Sequence, residues 1–390
     1  MIRSISEATE QDFLQLKQEI LTIAASIGID KIGFASADPF MELKQNLEHR
    51  RDKGFNCGFE ESNIDKRTNP ELIFTNPQSI LAIAVAYPSK LPDPPRSEPG
   101  AYRGILARSA WGDDYHRALH NRLSKLAAFI QERVLDARTE IMVDTGALVD
   151  RAVAVRAGIG WSGKNCSVIT PEFGSWVYLG ELITNLPFPP DQPVTEDCGD
   201  CTLCMDACPT HALVAPGVLD AQRCISYFTQ AKDDLDDSMK DKIGNRLYGC
   251  DTCQVVCPKN KGFNWTHHTD LQPEPEKVKP LLVPLLTIGN REFKHKFGSG
   301  AAAWRGKKPL QRNAIIGLGK FQDQSAIPAL SQLLKADPRP DIRAVSAWAL
   351  GRIGGELAVH ALTEASVRDP NNEVNQAAEK ALLAQTQEHK

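Results

Sequence analysis

A chain of 390 residues exceeds one ordinary core and implies two or three domains, and 42% hydrophobic with 24% charged residues is a folded, globular composition that excludes general disorder. A formal net charge of −4 excludes a global electrostatic case for nucleic acid, so any such case rests on a local patch. No segment approaches the roughly 20 apolar residues of a membrane span, and the opening segment lacks an apolar leader core. The expectation is a cytoplasmic protein, and in that reducing compartment ten cysteines argue for metal ligation over disulfides.

From Gln11 to Ile27, Phe13, Leu16, Ile20, Ile23 and Ile27 recur at helical spacing, and Gly28 supplies a stop. "DKIGFASA" reads as a first strand and "SILAIAVAYP", closed by Pro88, as a buried one, with a proline- and glycine-rich loop after it. Asp113 or Asp114 caps a helix whose inner face is Leu119, Leu123, Leu126, Ile130 and Val134. "EIMVD" and "SWVYLGELIT" follow as strands. This alternation describes an α/β or α+β catalytic domain over 1–189, followed by a cysteine-rich module over 190–262 and a basic linker over 263–308.

The last segment, 309–390, repeats itself. "AIPALSQLLKADP" from Ala326 aligns with "AVHALTEASVRDP" from Ala358, an offset of 32 residues that also pairs Leu318-Gly319 with Leu350-Gly351 and Leu350 with Leu382. An apolar helix pair recurring at this period is the mark of a short α-solenoid of HEAT-like repeats, a module that supplies a binding face rather than chemistry.

Cys198, Cys201, Cys204 and Cys208-Pro209 match C-x2-C-x2-C-x3-C-P, in which three thiolates hold one iron–sulfur cubane and the fourth holds its neighbour. The second half, Cys250, Cys253 and Cys257-Pro258, lacks its first cysteine at the usual spacing, and Cys224 is the free residue for that place. Exchange of the fourth cysteines assigns Cys198, Cys201, Cys204 and Cys257 to one cubane and Cys208, Cys224, Cys250 and Cys253 to the other. A zinc reading explains either C-x2-C pair but neither the total of eight nor both C-P termini. Cys57 and Cys166 receive no chemistry. No G-x-G-x-x-G stands between a clear strand and helix, so the acceptor of the electrons is not read as a nicotinamide.

"VDTGALVDRAVAVRAGIGWSGKNCSVI", "GSWVYLGELIT", the cluster run, "RCISY" and "NRLYGCDTCQVVCPKN", in that order, resemble epoxyqueuosine reductases over most of residues 10–310, continuing into the repeats. The resemblance implies a nitroreductase-like α+β domain that binds cobalamin beside a ferredoxin-like module with two 4Fe–4S clusters. It implies reduction of epoxyqueuosine to queuosine at the wobble position of the tRNAs for aspartate, asparagine, histidine and tyrosine, the last step of queuosine biosynthesis. Attack by cob(I)alamin opens the epoxide, with electrons relayed through the clusters and Asp144 as proton donor. Asp144 ends an apolar strand, and partial burial there is expected to raise its pKa and keep it protonated near neutrality. The corrinoid contacts implied are Arg67, Asp144, Lys164, Asn165, Ser167, Leu179 and Ser226. His116 is read as a structural histidine, and no protein ligand to cobalt is proposed. Ala147 and Ser109 depart from residues common in the family.

For tRNA, eight basic residues against one acid lie between Arg291 and Lys320, and phosphate contacts position RNA without reading bases. Lys232, Lys294, Lys307 and Lys308 are the expected contacts. The chain is expected to act as a monomer, off the membrane, with an external low-potential electron donor. Two other readings stand beside this one: a corrinoid and iron–sulfur reductive dehalogenase, and a non-catalytic electron-transfer scaffold.

Overall fold

The computed structural model describes residues 4–388; the outer ends of the expected first and last domains, 1–3 and 389–390, lie outside the described residues. The chain groups into two compact units. The first holds 1–90, 112–224 and 251–272, the second 91–111, 225–250 and 273–390.

The first unit is built on a four-stranded antiparallel sheet of β1 (Lys31–Ser36), β2 (Ser79–Ala86), β3 (Thr139–Met142) and β4 (Val177–Thr184), in the order β1-β2-β4-β3. Side chains alternate between faces along each strand. Phe34, Leu81, Ile83, Val85, Tyr178 and Leu182 share one face with α1 (Glu10–Ser26) and α2 (Tyr115–Arg133); Ile80, Ala82, Ala84 and Ile183 share the other with α3 (Asp150–Arg156). Burial on both faces is why β2 reads as a continuous apolar run and β4 nearly so. A sheet with antiparallel pairs throughout makes the unit α+β, which decides between the two classes left open by the sequence.

Both long helices begin where the sequence places them. Thr9 and Asp12 form a reciprocal capping box on α1, and the Asp114 carboxylate, not that of Asp113, caps α2. Leu119, Leu123, Leu126 and Ile130 of α2 are fully buried, each contributing about 2 kcal/mol of apolar transfer free energy. The last predicted strand begins at Val177 because the Ser175 N–H is taken by Asn260 Oδ1 at 2.7 Å rather than by a neighbouring strand.

The second unit contains α4 (Lys307–Phe321), α5 (Ile327–Ala336), α6 (Pro340–Ile353), α7 (Glu356–Arg368) and α8 (Asn372–Glu388). The 32-residue offset survives at atomic detail. A Cβ on Gly319 would lie 3.0 Å from the Ala349 Cα, and one on Gly351 would lie 3.0 Å from the Ala381 Cα, so each glycine permits the same close helix approach one repeat apart. Asp337 and Asp369 accept the backbone N–H of Arg339 and Asn371, each at 2.9 Å.

The inter-repeat ion pair is buried: the Arg343 guanidinium donates to Asp369 at 2.8 and 2.9 Å, with the side chains 9% and 6% exposed. Removing one member strands the other charge. Asp369→Ala is therefore expected to destabilise the repeats by about 3 kcal/mol, read as a lower denaturation midpoint in the full chain.

Candidate active site and cluster ligands

Asp144 follows β3 and adopts a left-handed backbone, φ +53°, that non-glycine residues rarely take. Its amide donates to Asp150 Oδ2 at 2.8 Å. Its carboxylate receives the Tyr115 hydroxyl at 2.8 Å and faces His116 Nε2 at 3.2 Å. The start of α2 presents both partners. Asp114 caps the helix and holds His116 Nδ1 at 2.7 Å, while the Tyr115 ring stacks on Tyr178 of β4 with centroids 4.8 Å apart.

These contacts overturn the expected charge state of Asp144. Hydrogen bonds from His116, and secondarily from Tyr115, outweigh burial and hold its carboxyl below the ordinary carboxylate range. The proton resides on His116, pushed up to about 9 by its hydrogen bonds to Asp114 and Asp144. As an imidazolium it donates from both ring nitrogens. His116, read from sequence as structural, thus belongs to the site; the Asp-Tyr-His triplet opening a helix was the available signal. A cleft of about 350 Å3 runs past His116, Met142, Thr145 and Ala147. Two further carboxyl groups lie nearby in the interior: Asp150, pushed up to about 6 by burial, and Glu181, raised well above its ordinary value by burial and by Asp150.

Cys198, Cys201, Cys204 and Cys257, far apart in sequence, line one small pocket with Lys164, Asn165, Ile169 and Pro258. Burial raises the Cys257 thiol, and the neighbouring Cys198 and Cys201 raise it further. All ten cysteines are free of disulfides. Around Cys208 the balance is opposite. Burial would raise its thiol, yet backbone N–H groups of Thr210 and Ala212 outweigh it and lower it, the latter at 3.3 Å from the sulfur. Such donors favour a thiolate ligand. Cys208, Cys224 and Cys253 lie in the first unit and Cys250 in the second.

The other residues named from sequence scatter in character. The Arg67 guanidinium is half-buried, its pKa held down by burial, with no ion pair or hydrogen bond among the described residues. Asn165 is buried; its Oδ1 accepts from the Ser167 N–H at 3.2 Å while its Nδ2 has no partner. Lys164 donates to the Gly199 carbonyl at 2.5 Å. Leu179 is half-buried on the sheet face that carries α3, and the Ser226 carbonyl accepts from Thr229 and Gln230. Among the basic residues, Lys232 and Lys294 are exposed, Lys307 reaches the Ile288 carbonyl, and Lys308 pairs with Asp341 at 2.7 Å. Arg312 is 5% exposed and donates to the carbonyls of Phe228, Ala231 and Asp233. The expected patch is smaller than its residue count, because Arg312 is a structural tie and Lys308 is neutralised.

Comparison with known proteins accords with this geometry. Residues 67–145 match the family described as "Epoxyqueuosine reductase QueG, DUF1730", residues 197–260 a "4Fe-4S double cluster binding domain", and residues 305–383 HEAT repeats. The epoxyqueuosine reductase of Bacillus anthracis is 56% identical over 97% of this chain and 100% of its own. A crystal structure of an epoxyqueuosine reductase with an epoxyqueuosine-modified tRNA-Tyr stem loop is 53% identical, covering 96% of this chain and 100% of that one, at a TM-score of 0.94. A structure of the Bacillus subtilis enzyme with its catalytic aspartate loop swung out of the active site aligns over 95% and 99% at 52% identity and a TM-score of 0.93. Relatedness at this level over nearly the full length of both chains decides among the three readings open from sequence: this chain belongs to the epoxyqueuosine reductase family.

Proposed function

We propose that this chain binds tRNA carrying epoxyqueuosine and reduces the wobble epoxide to the alkene of queuosine, using two 4Fe–4S clusters and cobalamin. The conversion takes up two electrons and two protons and releases water. The observation that carries the reading is His116, paired with Asp144, on the wall of a cleft, in the same compact unit as a pocket lined by four facing thiols.

The donor set fits a corrinoid. The Asn165 Nδ2 is buried without an acceptor among the described residues, matching a macrocycle rich in amide oxygens, and the half-buried Arg67 guanidinium feels Glu60 but makes no ion pair or hydrogen bond among them, which leaves its donors for a phosphate. Lys164, Ser167, Leu179 and Ser226 complete the proposed set. Cobalamin, when bound and reduced, supplies the nucleophile for the epoxide carbon. The chain's own task is the proton: imidazolium His116 donates through the Asp144 carboxylate to the oxygen released from the ring, and Tyr115 fixes that carboxylate. The first cubane is assigned to Cys198, Cys201, Cys204 and Cys257 and the second to Cys208, Cys224, Cys250 and Cys253, with electrons from an external low-potential donor.

The exposed Lys232 and Lys294 are proposed to meet tRNA phosphates, with Lys307 and Lys308 at the rim of that surface. A wobble nucleoside turned out of the anticodon loop would present its base to the cleft. A nitroreductase-like catalytic region, the cluster module, the basic linker and the repeats are the proposed functional divisions, in a cytoplasmic monomer. The segment carrying Asp144 is proposed to move as the aspartate loop of the Bacillus subtilis enzyme does.

Deletion of the gene tests the assignment. Nucleosides from the deletion strain's tRNA should contain epoxyqueuosine and no queuosine, with restoration by the cloned gene. An unchanged nucleoside profile rejects it.

A further inference from the structure

The proton chemistry above makes no use of two interior carboxyl groups. Glu181, the one acidic residue of β4, lies 1% exposed opposite Ala82 of β2 and Met142 of β3. Asp150 opens α3, which packs against that face of the sheet. The Glu181 and Asp150 carboxyl groups act on each other at close range, and Asp150 Oδ2 accepts the Asp144 amide at 2.8 Å. Glu181 Oε1 has no hydrogen-bond partner among the described residues. The charges that face the pair are few: Asp144 above it, with His116 and Arg151 acting on Asp144, while Ala82 and Met142 bring none.

Two adjacent buried carboxyl groups with no cation acting on either among the described residues cannot both ionise, so the pair keeps one proton. The Asp144 N–H favours the charge on Asp150, and Glu181, buried with Oε1 unpartnered, keeps the proton and offers it to Asp150. That bond is what ties the amide of a residue held at φ +53° to the body of the unit. We propose that Glu181 and Asp150 are positioning residues that form a one-proton latch, holding the Asp144 segment at the cleft and releasing it when Glu181 ionises. The inference rests on Asp144 serving as the proton donor, but its geometry is independent of any bound cofactor.

The sign of the pH dependence follows. Glu181 has its pKa raised by folding, so the latch is closed while Glu181 is protonated and opens as pH rises through that raised value. Glutamine in its place donates to Asp150 at every pH; leucine cannot donate at all.

Hydrogen–deuterium exchange across residues 143–150 of the full chain, corrected for the intrinsic pH dependence of exchange, reads the latch directly. Wild type should lose protection at alkaline pH, Glu181→Gln should stay protected throughout, and Glu181→Leu should exchange about tenfold to a hundredfold faster at neutral pH. Matching pH dependence in wild type and Glu181→Gln overturns the proposal, and that comparison suffices if the leucine variant fails to fold. Single-turnover rates should follow the same order, with the glutamine variant rescuing most of the loss. Full turnover by Asp144→Asn would remove Asp144 as proton donor while leaving the exchange result to stand or fall alone.

Discussion

Asp144→Asn should lower the single-turnover rate by about two to four orders of magnitude, the usual range for losing a positioned acid–base group, while cluster content is unchanged. Asparagine keeps the size of the side chain but neither carries a proton nor holds imidazolium His116. The pH profile separates this role from a merely structural one. His116 has its folded pKa raised from 6.5 to about 9, so its proton is in place below 6.5 and is lost as pH rises through about 9. Asp144 has its pKa lowered, so its charge, and the pairing that depends on it, is lost only as pH falls through that lowered value. The wild-type rate should therefore fall on the alkaline side with an apparent pKa near 9, a value that belongs to the coupled pair. His116→Gln should abolish that limb and cost about tenfold or more at neutral pH. An alkaline limb unmoved in His116→Gln would place the transferred proton elsewhere. The same linkage applies to stability: the pair's contribution is complete below pH 6.5 and fades toward 9.

The position of Asp144 was legible in the sequence and its ionisation was not. An aspartate after an apolar run and before a Thr-Gly turn is a local pattern. Its pKa is set by a histidine 28 residues earlier, delivered by the first turn of α2. The same contrast runs through the molecule. Strands buried on both faces and helices with one apolar stripe announce themselves by period, and the repeats by their 32-residue offset, because each signal lies within one element or its copy. Glu181 offered a faint trace, one carboxylate interrupting "VYLGELIT", but its significance depends on Asp150 arriving from the start of α3. Charge counting failed for a related reason. Arg312 is one more basic residue in a basic stretch until α4 turns it inward onto three carbonyls. Composition records how many charges a segment has, and packing decides which of them water or a phosphate can reach.

Cysteine content was the most legible chemistry, since C-P termini and C-x2-C spacing encode ligation directly, and it yields the second large effect. Cys257→Ala should remove about half of the bound iron and sulfide and all reductase activity, with chemical reductant in place of the physiological donor. The choice of residue matters. Cys257 belongs by spacing to the downstream group of cysteines, yet it lines the pocket of Cys198, Cys201 and Cys204. Its loss should therefore abolish the cluster held by the upstream run and spare the one expected on Cys208, Cys224, Cys250 and Cys253. Cys208→Ala, from the upstream run, should do the converse. Cys57→Ala and Cys166→Ala serve as controls: both thiols have pKa values raised chiefly by burial, lie outside the four-thiol pocket, and should leave iron content intact. Iron and sulfide analysis with electron paramagnetic resonance of the reduced protein distinguishes the cases. Two unequal cubanes interact magnetically when both are present, and each single variant should leave the simpler signal of one. If Cys257→Ala and Cys208→Ala instead lost the same cluster, the exchange of fourth ligands between the two runs would be wrong, whatever the fate of the activity.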